Sequence, residues 1–98
     1  MTSAIQQCTV TVRNPEGLHM RPALKLVLAA TGFQCQLELE RAGQIADCRS
    51  ILSLLTLGAP QDCELLLRAQ GPDAEEAIRV IRLMFSQQFD EENVEPAT

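Results

Sequence analysis

The sequence is poor in the groups on which most enzymes and nucleic-acid binders rely. It has no Trp, no Tyr and only 3 Phe in 98 residues. Any core must therefore be built from aliphatic side chains. It has a single histidine, His19, so chemistry that needs an imidazole must use that residue. It has a single lysine, Lys25, and no two basic residues are adjacent. With 8 Lys and Arg against 13 Asp and Glu, the formal net charge is -5. Such a chain repels polyphosphate backbones, which argues against nucleic acid as a partner.

Other absences narrow the field further. No stretch of about 18 uncharged apolar residues is present, so no membrane-spanning segment is expected. The four cysteines, Cys8, Cys35, Cys48 and Cys63, form no closely spaced pair, and one histidine does not complete a zinc site. No metal and no cofactor are expected. The start Met1-Thr2-Ser3-Ala4 carries neither the charge nor the apolar run of a signal peptide. A cytoplasmic setting with reduced thiols packed in the sheet core follows as the expectation.

What is present reads as one domain. Residues 1–89 form the expected globular unit, and the acidic residues 90–98 an expected flexible tail. From Ile5 to Val12, Cys8, Val10 and Val12 alternate with Thr9 and Thr11, the period of a half-buried strand. Arg13 to Gly17 is a loop. A helix then opens around Leu18 to Ala23, with Pro22 in its first turn and Ala23, Leu26, Val27 and Ala30 as its buried stripe. Gly32 is the expected C-terminal cap. Phe33 to Glu40 alternates as a strand, Ala42-Gly43 turns, and Gln44 to Cys48 returns as a hairpin partner.

Ser50 is placed to cap a short apolar helix, Ile51 to Leu57, which Gly58 stops. That helix has more apolar residues than one face can bury, which marks a candidate docking patch. Asp62 to Gln70 is a fourth strand, with Cys63, Leu65, Leu67 and Ala69 inward. Asp73 and Glu76 form a box-like start for a last helix whose stripe is Ala74, Ala77, Ile78, Ile81, Met84 and Phe85. Arg79 and Arg82 face solvent. The order β-α-β-β-α-β-α, with alternating strands, specifies an α+β two-layer sandwich.

The chemistry gathers at Gly17-Leu18-His19-Met20-Arg21-Pro22-Ala23. His19 lies ahead of the buried stripe. A helix start offers unpaired backbone N–H groups and the positive end of the dipole, which suits a phosphoryl group carried on His19. Arg21 adds a charge-assisted donor. By itself the pattern also fits a histidine that is merely a surface or capping residue.

The stretch Asn14 to Ala23, together with Arg49-Ser50-Ile51-Leu52 through Thr56-Leu57-Gly58, resembles the two signatures of the histidine-containing phosphocarrier (HPr) family of the phosphoenolpyruvate-dependent phosphotransferase system. The resemblance spans about residues 5 to 89. It implies an open-faced sandwich, a four-stranded antiparallel sheet with three helices on one face. It implies that His19 takes a phosphoryl group on Nδ1 from phosphorylated Enzyme I and passes it to a histidine of an Enzyme IIA-type protein. Arg21 would hold that group, and Gly17, Met20 and Pro22 would shape the loop and helix start. Ser50 would match a serine modified by HPr kinase/phosphorylase. Met20, Arg49, Ile51, Leu52 and Leu55 would form the docking rim. The implied protein is a monomeric carrier, not a self-contained enzyme.

Against the family pattern, Met20 replaces a small residue or Thr, and Leu28 and Thr31 stand where sugar-transport members carry lysine. Gly32-Phe33 and Phe89-Asp90-Glu91-Glu92 are similar to the nitrogen-regulatory (NPr) branch. The alternative expectation is a regulatory interaction module of this fold whose partners lie outside sugar transport.

Overall fold

A computed structural model describes residues 5–90. In chain order the elements are β1 (Ile5–Thr11), α1 (Met20–Ala30), β2 (Gln36–Arg41), β3 (Gln44–Asp47), α2 (Ile51–Thr56), β4 (Glu64–Gln70) and α3 (Ala74–Ser86), followed by a short 3-10 turn at Gln88–Asp90. All strand pairings are antiparallel, and the sheet order is β1-β4-β2-β3. The β-α-β-β-α-β-α order and the open-faced sandwich expected from the sequence are both present.

The register explains the two layers. Cys8 pairs with Leu67, Leu67 with Leu39 and Leu39 with Ala46, so one apolar row crosses all four strands. The next row, Gln7, Arg68, Glu38 and Asp47, points to the other face, because side chains alternate along a strand. There Arg68 bridges Glu38 at 3.3 Å and Glu40 at 2.7 Å. The apolar face meets Leu26, Leu54, Ile81 and Phe85 from the three helices, and all four are fully buried. Each such side chain contributes roughly 1.5–3 kcal/mol by leaving water.

Several local expectations need correction. Gly32 is not a left-handed cap. Thr31 ends α1 in right-handed conformation, and its Oγ1 donates to the Leu28 carbonyl at 2.7 Å. Asp73 does precede α3, but its carboxylate does not cap that helix. It accepts instead from the backbone N–H groups of Gln34 and Cys35, each at 2.9 Å. The same contact explains why β2 begins at Gln36 rather than at Phe33: the backbone of 34–35 bonds a side chain instead of a strand. Asp62 adopts a positive φ of 70°, so β4 starts after it, at Glu64. Cys35 and Cys48 are buried, while Cys8 and Cys63 are only half-buried. All four are free thiols.

The chain does not leave α3 in an extended tail at residue 90. Gln88, Phe89 and Asp90 all take left-handed φ, 54°, 56° and 61°, which turns the chain back on itself. Phe89 is thereby buried and meets Phe85 edge-to-face, ring centroids 4.8 Å apart. The acidic residues 91–98 lie outside the described residues.

Candidate functional site

The loop before α1 is fixed from three sides. Gly17 donates its N–H to the Asn14 carbonyl at 2.9 Å, and Leu18 donates to the Ala59 carbonyl at 2.9 Å. Gly17 has φ +74°, and a Cβ there would collide with the Ala59 carbonyl oxygen. Only glycine meets both demands. Asn14 is fully buried, and its Nδ2 donates to the Gln88 carbonyl at 3.0 Å. On α1, Lys25 donates to the Phe89 carbonyl at 2.8 Å. The left-handed turn after α3 is thus tied both to the loop and to the first helix.

His19 is the N-cap residue of α1, with extended backbone (φ -89°, ψ -167°), and it is half-buried. Its carbonyl accepts from the Ala23 N–H at 3.0 Å, the first bond of the helix. Its ring does not cap that helix. Met20 and Arg21 therefore hold the N–H groups that have no carbonyl one turn back. Pro22 follows with no N–H to leave unpaired, and its ring is buried against the core. The ring of His19, two backbone donors and the Arg21 side chain share one helix end. A helix end of this kind offers fixed donors and the positive end of the dipole to an anion.

Ser50 caps α2, accepting from the Ser53 N–H at 3.2 Å, and its hydroxyl donates to Ser53 Oγ at 3.0 Å. Ile51 and Leu55 are half-buried against the core, and Leu52 is 71% exposed. Arg49 lies beside them but is committed: Nη2 donates to the Phe33 carbonyl at 2.6 Å and the Cys35 carbonyl at 2.9 Å.

The sequence reading missed a second apolar row on α1. Met20, Leu24 and Leu28 are 57%, 47% and 64% exposed, and their i, i+4, i+8 spacing places them on one ridge. The ridge starts next to His19 and runs the length of the helix, with α2 packed alongside. The signal was available as an apolar row out of phase with the buried stripe Ala23, Leu26 and Ala30.

Burial pushes the Cys48 thiol up to about 12 and the Cys35 thiol up to about 11, with the Asp73 carboxylate adding to the latter. Neither thiol is a nucleophile near neutrality. No group of three or more His, Cys, Asp or Glu with metal-binding placement occurs among the described residues. No helix among them is long and apolar enough to cross a membrane.

Comparison with known proteins converges on one family. The family model for the PTS HPr component phosphorylation site matches residues 6–87. The phosphocarrier protein HPr of Chlamydia pneumoniae is 36% identical over 87% of this chain and 79% of its own length. The phosphocarrier protein NPr of Escherichia coli K12 is 34% identical over 86% of this chain and 94% of its own. Among solved structures, HPr from Thermoanaerobacter tengcongensis superposes with a TM-score of 0.85 at 33% identity, covering 89% of this chain and 98% of that one. With the sheet order, the glycine-built loop and the histidine at the head of α1 in agreement, the chain belongs to the HPr family of phosphocarrier proteins, relays rather than self-contained enzymes.

Proposed function

We propose that His19 is the phosphoryl-carrying residue and that Arg21, with the backbone N–H groups of Met20 and Arg21, holds the group while it is carried. The observation that supports this most is the placement of His19 as the N-cap of an 11-residue helix whose ring does not serve as the cap. In the proposed cycle, an imidazole nitrogen of His19 attacks phosphorus on the phosphohistidine of Enzyme I. One P–N bond breaks as the other forms. The second transfer repeats this toward a histidine of an Enzyme IIA-type acceptor. The helix end and Arg21 stabilise charge on the moving group without any reorganisation. The partners supply the second imidazole.

Met20, Leu24, Leu28, Ile51, Leu52 and Leu55 form the proposed docking surface for both partners. It is more apolar than charged, which suits exchange between two partners through shape and desolvation. Gly17 and Pro22 shape the loop and helix start that carry His19. Arg49 acts through the 33–35 loop that it holds.

Ser50 is the proposed regulatory site. A phosphoryl group there adds about -2 charge next to Ile51 and Leu52 and opposes docking. Incubation with ATP and HPr kinase/phosphorylase tests it: acid-stable label is expected on the wild type, and label retained in Ser50→Ala would refute the site. A cytoplasmic location accords with relay between soluble partners. The main reading is tested by phosphoryl transfer from phosphoenolpyruvate through Enzyme I to this protein and its His19→Ala variant. A regulatory module with partners outside sugar transport would keep the docking surface and carry no such flux.

A further inference from the structure

Gln88, Phe89 and Asp90 hold a backbone that residues other than glycine avoid: all three take left-handed φ. Strain of this kind persists only where the surroundings impose it. Here three contacts do so. Asn14 Nδ2 donates to the Gln88 carbonyl at 3.0 Å, Lys25 Nζ donates to the Phe89 carbonyl at 2.8 Å, and the buried Phe89 ring meets Phe85. The left-handed turn makes the first two possible together. Consecutive carbonyls of an extended chain point to opposite sides, whereas those of a helical turn point the same way. A right-handed turn would have carried both onward along α3.

The two donors bracket the His19 segment. Asn14 lies in the loop before α1, Lys25 lies within α1, and His19 stands between them. Two adjacent carbonyls of the turn thus pin both ends of the segment that carries the histidine. Asn14 passes the restraint on, because its own carbonyl accepts from the Gly17 N–H at 2.9 Å. Lys25 is the single lysine of the chain and is half-buried. Fixing a flexible, strongly hydrated ammonium on a carbonyl costs side-chain entropy and hydration. We propose that the turn at Gln88–Asp90 sets the aim of the α1 head, with Lys25 and Phe89 as positioning residues for phosphoryl transfer. The inference rests on the reading of His19 as the carrier. Neither residue touches the phosphoryl group. Releasing Lys25 lets the loop and α1 shift against each other, and fixed donors lose their hold on a moving group after small displacements. Met20, Leu24 and Leu28 keep their places on α1, so docking survives.

The test is single-turnover transfer from the phosphorylated full chain to an Enzyme IIA-type acceptor, over a range of acceptor concentrations, which separates rate from affinity. Lys25→Met should lower the limiting rate about tenfold, the worth of one charge-assisted hydrogen bond. The half-saturating acceptor concentration should stay within about twofold. Lys25→Arg, which keeps a charged donor within reach of the carbonyl, should recover most of the rate. Arg68→Ala loses two ion pairs on the far sheet face and should transfer at the wild-type rate. A wild-type rate in Lys25→Met, an equal loss in Lys25→Arg, or an equal loss in Arg68→Ala would overturn the positioning role. Amide shifts of the unphosphorylated protein test it apart from the carrier reading: Lys25→Met should move Gly17, Leu18 and Met20, and unmoved resonances there would overturn it. Failure of the wild type to take label from phosphorylated Enzyme I would instead overturn the carrier reading.

Discussion

Asn14 Nδ2 donates to the Gln88 carbonyl at 3.0 Å, joining the loop that leads into His19 to the turn that follows the last helix. Asn14 is the single fully buried polar residue among those described. Asn14→Ala removes the donor to the part-buried Gln88 carbonyl and empties a fully buried site, so we expect a loss of about 1–3 kcal/mol. Urea unfolding measures it. Native stability in the variant would show that the clamp contributes nothing.

The apolar ridge carries a sharper prediction. Leu24→Lys and Leu28→Lys change exposed side chains, so stability should move by less than about 0.5 kcal/mol. Transfer to the acceptor should fall by roughly tenfold or more for each, the worth of one buried leucine contact at an interface. Single-turnover transfer from the phosphorylated carrier reads this directly. Transfer at the wild-type rate in both would remove the ridge from the docking surface.

Asp73 predicts the acid limb of stability. Its two backbone bonds, to Gln34 foremost, hold its carboxyl below the ordinary 3.8. The folded form therefore favours the carboxylate. The stability this gives is present above about pH 3.8 and is lost as pH falls toward the folded value. Urea midpoints should drop as pH falls below about 3.8, and Asp73→Asn should flatten that drop. An equal drop in the variant would assign the acid limb to other carboxyls.

The thiols predict the alkaline limb. Burial raises Cys35 to about 11 and Cys48 to about 12 from an ordinary 9.0, so folding favours the neutral thiols. Their contribution is complete below pH 9.0 and is lost as pH rises to about 11 and about 12. At about pH 8, a thiol reagent should modify both only upon unfolding. Rapid labelling of either in the native protein would contradict their burial.

The fold was largely legible because its strands alternate cleanly. Leu37 and Leu39, or Leu65 and Leu67, can satisfy a two-residue period only with one face buried. The head of α1 was equally legible from Gly17, His19 and Pro22. Strand order was not, because β4 sits between β1 and β2 by pairing that no local pattern encodes. Asp73 read as a cap because the cap preference is local, whereas its partners at Gln34 and Cys35 are distant in sequence. The turn at Phe89 was invisible for the same reason: three consecutive left-handed residues without glycine are held by Asn14 and Lys25 from elsewhere in the chain.

The central claim is that His19 carries the phosphoryl group between partners. The most direct measurement incubates the protein with Enzyme I and labelled phosphoenolpyruvate, beside His19→Ala. Label that is acid-labile and base-stable should appear on the wild type, be absent from the variant, and leave when an Enzyme IIA-type acceptor is added. Equal labelling of the variant, or no label on the wild type with an active cognate Enzyme I, would contradict it.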